Sequence, residues 1–197
     1  MYTNANIRTE DSQLYSTCAE RVRKRSLHCE VFECIIVTDR HRIQKTEGER
    51  MSKVKEAEKQ FEKGFSCAPA VLSAYSEQFG LGKELALKIA CGFGGGIGRM
   101  GRTCGAVTGA VMVIGLKHGQ TNTADEASRR ETHKLVKEFI DRFTALHGSV
   151  ECRELIGCDL SNPAGLKSAR ESRVFENRCR VFVRDAARIL EDILELR

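Results

Sequence analysis

The stretch Ala124–His147, ADEASRRETHKLVKEFIDRFTALH, decides the fold. Its apolar residues Leu135, Val136, Phe139, Ile140, Phe143 and Leu146 recur at three- and four-residue intervals, which places them along one face of an α-helix. No part of it alternates with the period of two that a strand needs. The same periodicity extends outward in both directions. Val54, Ala57 and Phe61 make one stripe, Val71, Leu72, Tyr75 and Phe79 a second, and Leu85, Ile89 and Phe93 a third. Cys104 to Leu116 reads as a buried helix rich in Gly and Ala, and Phe175, Cys179, Phe182, Val183, Ala186, Leu190 and Ile193 form the last stripe. Gly80, Gly82, Gly119, Gly148 and Gly157 follow these segments, where helix C-terminal stops belong. No internal repeat is visible.

The expectation is therefore an all-α fold, a single compact bundle of roughly six helices with a glycine-rich hinge. Composition agrees. With 41% hydrophobic and 30% charged residues, 197 residues suit one or at most two globular domains. Aromatics at 6%, no Trp and only two Pro argue against a β-sandwich or β-barrel. No run reaches the roughly 18 apolar residues of a membrane span, so no membrane insertion is expected. The N-terminus lacks a charged start followed by an apolar region and a small-residue cleavage site, which points to a cytoplasmic protein. The net charge of +5 is modest, and the one compact basic run, Arg21 to Arg25, has no interleaved aromatics. No nucleic-acid partner is expected.

The chain changes character at Met51. Residues 1–50 hold one glycine, Gly48, and no proline, and their apolar residues keep no period beyond the short strand-like string Cys34 to Thr38. Such a segment is expected to be poorly ordered. Met51-Ser52-Lys53 reads as a second start, with Ser52 available as an N-cap and Glu56 near the first turn. Gly48-Glu49 must be encoded by a purine-rich GGN-GAR string, which has the look of a bacterial ribosome-binding site just upstream of the Met51 codon. Residues 1–50 are accordingly expected to be translated upstream sequence or a dispensable extension, the alternative being an ordinary N-terminal arm. Residues 51–197 are expected to form the functional domain.

Two phosphate-loop patterns overlap between Gly92 and Thr103. Gly96, Gly98 and Gly101 satisfy G-x-G-x-x-G, and Gly96 with Gly101-Arg102-Thr103 approximates a P-loop in which Arg replaces the Lys. A true phosphate loop follows a strand of a parallel sheet, whereas Leu85 to Cys91 is helical in pattern. No nucleotide is expected, and the segment reads as a flexible hinge where backbone passes close to backbone. His118, His133 and His147 form no metal-binding spacing and read as surface or helix-end residues. No catalytic residue is assigned by any motif, and no nucleophile elbow is present.

The chemistry lies in the cysteines. There are nine, too few for a disulfide scaffold, and six follow Met51: Cys67, Cys91, Cys104, Cys152, Cys158 and Cys179. None of these six forms a C-x2-C pair, which removes zinc ribbons, thioredoxin-type dithiols and c-type haem attachment. A site would have to be assembled from distant segments. Cys67 lies just before Pro69, Cys104 follows Thr103 as an available N-cap, Cys152 opens a short apolar stretch, and Cys179 falls near the start of the last stripe. All four are read as helix-start cysteines, where free amides and the helix dipole favour an anionic sulfur. Cys91 and Cys158 lie near segment ends. The competing interpretation is that each is a small core hydrophobe.

Residues 61–193 resemble the C_GCAxxG_C_C family of small redox-active proteins. The matching stretches are Phe65 to Ala68 with Val71-Leu72, then Gly92 to Arg99, Cys104 to Ala110, Cys152 to Gly157, and Cys179 with Val183 to Ala186. In the middle block Cys104 precedes Gly105, whereas the family label writes Gly before Cys. The resemblance implies a compact helical protein whose four signature cysteines map onto Cys67, Cys104, Cys152 and Cys179. It also implies a distant likeness to the non-haem part of split-Soret cytochromes, where an iron–sulfur centre accompanies haem. The chain has no C-x2-C-H, so no haem is expected.

Three functions follow. The leading one is a cytoplasmic redox-active protein whose four cysteines ligate an iron–sulfur cluster for electron transfer to an unidentified partner. In it Gly105 and Gly109 allow close helix packing, the Gly92–Gly101 segment, with Gly96 and Gly98, offers amides to cluster sulfur, and Arg99 and Arg102 offset charge. The second is a thiol–disulfide protein or sensor acting on a thiol partner, with Cys91 or Cys158 as resolving thiol. The third is a non-catalytic module binding zinc or another soft metal.

Overall fold

A computed structural model describes residues 52–196, all within the unit Met51–Arg197. The expectations for residues 1–50 lie outside the described residues. Among the described residues there are eight α-helices: α1 (Lys53–Glu62), α2 (Cys67–Tyr75), α3 (Lys83–Ala90), α4 (Gly105–His118), α5 (Glu126–His147), α6 (Cys152–Ile156), α7 (Pro163–Glu171) and α8 (Arg180–Ile193). The described residues contain no strand, only an isolated antiparallel bridge between Thr103 and Glu151. No described helix is long and apolar enough to cross a membrane.

Helix α2 is the hub. Its sequence, CAPAVLSAY, is small and apolar all round, so every one of its residues can be buried, and every one is. It packs against α1, α3, α4 and α8. The buried Tyr75 hydroxyl donates to the Ala187 carbonyl at 3.1 Å, tying α2 to α8 and satisfying a polar group inside the core. Against this hub α8 turns a strongly one-sided face built from Phe182, Val183, Ala186, Ala187, Ile189 and Leu190. Helix α5 buries Leu135, Phe139 and Phe143 against α4 and α8. Asp125 caps α5 by accepting from the Ser128 amide at 3.0 Å, and Gly148 ends it in the left-handed conformation.

Several sequence expectations are corrected. There are more helices than the apolar stripes indicate, because α6 has only five residues and α7 buries only Ala169. Helix α7 nevertheless carries its own start signal, Asn162 accepting from the Gly165 amide at 2.8 Å with Pro163 in the first turn. The third stripe points the wrong way: Leu85 and Ile89 are 53% and 49% exposed, while α3 buries Ala86 and Ala90. Close packing on α2 leaves room only for alanine on that face. Gly82 does not stop a helix but is the N-cap of α3. His147 ends α5, yet its ring is enclosed by Phe143 and Phe182 with centroids 4.6 and 4.9 Å away. Burial, partly opposed by nearby Asp185, holds its pKa below the usual histidine value.

Candidate thiol site

Four local structures deliver four thiols to one cavity of about 940 Å³. Cys67 is the first residue of α2, placed after the extended Ser66. Cys104 is itself the N-cap of α4, with φ −55° and ψ 138°. Thr103, expected in that role, instead takes part in the bridge with Glu151. Around that bridge the Cys104 amide donates to the Val150 carbonyl and the Cys152 amide donates to the Arg102 carbonyl, each at 2.7 Å. Two chain segments nearly 50 residues apart are thereby clamped side by side, and α4 and α6 leave the clamp with Cys104 and Cys152 at their starts.

Cys179 does not stand at a helix start. It ends a π-helical turn, Phe175–Cys179, that runs straight into α8, with its own φ and ψ at −63° and −36°. The wider turn changes the angular spacing, so Phe175, Glu176 and Cys179 all line the cavity. The last stripe's periodicity gives no hint of that extra residue.

All four thiols are buried, between 2% and 8% exposed. The Cys67 thiol interacts with both Cys104 and Cys179, and these contacts, then burial, hold its pKa well above the ordinary thiol value. Cys104 shifts the opposite way. The hydrogen bond from Cys67 lowers its pKa, burial opposes this, and the amides of Ala106 and Val107 at the α4 N-terminus add to the lowering. Cys152 is pushed up to about 12, by burial first and then by the charges of Cys104, Cys179 and Glu151. The four thiols thus feel one another, and the surroundings of Cys104 favour its thiolate. Among the described residues, no three His, Cys, Asp or Glu side chains are grouped to hold a metal ion.

The glycine segment is an ordered wall of this cavity. Residues 95–99 all have positive φ, including Ile97 at 57° and Arg99 at 65°, a left-handed turn that costs L-residues about 1–2 kcal/mol each. It is locked by backbone bonds: the amides of residues 97–102 each donate to a carbonyl between Gly92 and Ile97. The segment is therefore not a loose hinge, and the Gly98 and Gly101 amides are already bonded within it. Gly96 is the tightest point, where an added Cβ would lie 2.7 Å from the Cys152 Cβ. Gly105 and Gly109 bring α4 onto α2; a Cβ at Gly105 would lie 3.0 Å from the Ala68 nitrogen and 3.1 Å from the Cys67 Cβ. A Cβ at Gly109 would lie 2.8 Å from the Ala68 carbonyl oxygen.

The other candidates separate. Gly98, Arg99 and Gly105 line the cavity, whereas Gly96, Gly109 and Arg102 do not. Cys91 lines it from an exposed position in the turn after α3, and Cys158 does not line it. Sequence reasoning missed the apolar walls, Phe61, Phe65, Leu155 and Phe182 among them, because stripe residues look alike whether they face a core or a cavity. Brief alkylation of the native protein followed by peptide mapping is expected to label Cys91 well ahead of Cys67, Cys104, Cys152 and Cys179, because accessibility outweighs the lowered pKa of Cys104.

The fold and site define a class: an all-α protein in which thiols from four separate segments face one cavity. A family model described as "Putative redox-active protein (C_GCAxxG_C_C)" matches residues 65–193, well over half of the chain, and the chain belongs to that family. No curated protein and no solved structure matches the chain.

Proposed function

We propose that Cys67, Cys104, Cys152 and Cys179 hold an iron–sulfur cluster and that the protein transfers electrons through it. The observation that carries this reading is the convergence of four buried, mutually interacting thiols on one cavity wall. The donor set fits such a group in number and softness. Zinc in a tetrahedral thiolate site, with Zn–S of about 2.3 Å, needs its sulfurs in a single tight group. Colour, iron and acid-labile sulfide content distinguish such a cluster from a single zinc ion held by the same thiols. A bound cluster would supply one-electron chemistry. The chain's own contribution is to exclude water through the apolar walls, to direct the Ala106 and Val107 amides at Cys104, and to keep the Arg99 guanidinium on the cavity lining. The thiols stay reduced most readily in the cytoplasm, and the electron partner is a separate molecule.

A second reading, reversible disulfide chemistry, rests on the direct Cys67–Cys104 contact and the opposed pKa shifts of the two thiols. One preparation separates the two. Anaerobically purified protein is expected to show visible charge-transfer absorption with iron and acid-labile sulfide in similar amounts. Colourless, iron-free protein that yields a Cys67–Cys104 linked peptide on oxidation would sink the cluster and leave the disulfide.

A further inference from the structure

We propose that the same cavity also binds a small planar aromatic anion, whatever the thiols hold. Size is the first argument. About 940 Å³ lies at the upper end of the roughly 300–1,000 Å³ typical of small-molecule sites, and an inorganic centre of a few atoms against the cysteine wall fills only a part of it. The lining is the second. Four phenylalanines, Phe61, Phe65, Phe175 and Phe182, face the space from α1, the turn after it, the π-helical turn and α8, and rings of this kind favour a flat apolar body through offset and edge contacts.

Charge is the third. Arg99 and Arg170 both line the cavity from exposed positions, and neither guanidinium has an ion-pair or hydrogen-bond partner among the described residues. The remaining lining charges nearly cancel: Arg180 pairs with Glu62 at 2.7 Å, leaving Glu176 as the one further carboxylate. Arg99 is moreover set in the left-handed conformation at φ 65°, strain of the sort that accumulates where a side chain must be aimed. Two guanidinium groups at an aromatic cavity match a carboxylate, sulfonate or phosphate on a planar ring system. The inference goes beyond the cluster reading and does not depend on it.

Isothermal titration calorimetry on the full chain, with 2-naphthoate and its near-neutral counterpart 2-naphthol as probes, tests this. One naphthoate per chain is expected, bound more tightly than naphthol. The double variant R99Q/R170Q should weaken naphthoate by about three- to tenfold, the range of two partly exposed ion pairs, and leave naphthol unchanged. Phe65→Ala should weaken both probes. Should the double variant misfold by circular dichroism, R170Q alone, a change on the exposed face of α7, is expected to shift naphthoate in the same direction. No saturable naphthoate binding, or a naphthoate affinity indifferent to the arginines, overturns the proposal. Iron and sulfide measured on the same preparation keep the two readings apart: naphthoate binding without iron supports this site and counts against the cluster, and iron without naphthoate binding does the reverse.

Discussion

Anaerobically reconstituted Cys104→Ser protein is expected to keep its helical far-ultraviolet circular dichroism while losing most of its bound iron and sulfide. The fold should survive because the exchange is nearly isosteric, and because the Cys104 amide bond to Val150 is made by the backbone. The chemistry should not. The surroundings of Cys104 favour the thiolate, through the Cys67 thiol and the Ala106 and Val107 amides. A serine hydroxyl in that place is hard and un-ionised. Loss of a ligand should exceed the roughly 10–100-fold that removing an outer-shell partner costs. Cys29→Ser, in the segment before Met51, is expected to bind iron as wild type does. Equal iron per chain in the Cys104 variant and wild type would remove Cys104 from the ligand set.

The second large effect is expected from Gly96→Ala. An added Cβ would lie 2.4 Å from the Arg102 oxygen, 2.7 Å from the Arg102 nitrogen and 2.7 Å from the Cys152 Cβ, and the residue already sits at φ +71°. Two of these neighbours are backbone atoms held by the bridge, so they cannot yield as a flexible side chain would. Left-handed strain and overpacking together give about 2–5 kcal/mol of destabilisation, a fall in Tm on the order of 10 °C for a chain of this size. Gly98→Ala is the control. At φ +58° it carries the backbone strain, but a Cβ there meets nothing within 4 Å, so about 1–2 kcal/mol is expected. Thermal denaturation of the two variants side by side measures the difference. Equal melting temperatures would show that crowding against Cys152 does not govern this position.

The helical class was legible because long amphipathic segments carry their own signal. The Leu135–Phe143 stripe of α5 and the Phe182–Leu190 face of α8 are periodic over enough turns that burial follows from spacing. Short elements lack that length. Helix α6 has five residues, too few for a period, and α3 misled because its large residues, Leu85 and Ile89, face outward where alanine alone fits against α2. The identity of the four cysteines was legible from local context at Cys67, Cys104 and Cys152, which do open helices or cap one. For Cys179 that argument fails, since the π-helical turn places it five residues into a continuous helix.

By itself the sequence determined the long helical segments, where most of them stop, and that Cys67, Cys104 and Cys152 stand at helix starts, because these properties are set by residues within a turn or two of one another. The tertiary structure alone decided that those thiols meet. Their encounter depends on the Thr103–Glu151 bridge between segments far apart in the chain, on glycines that let α4 touch α2, and on a left-handed turn braced by backbone hydrogen bonds from residues 97–102. The rise and fall of the cysteine pKa values came from the same source. A thiol's ionisation follows the charges and solvent around it in space, and in this chain those neighbours include thiols as distant in sequence as Cys67 and Cys179.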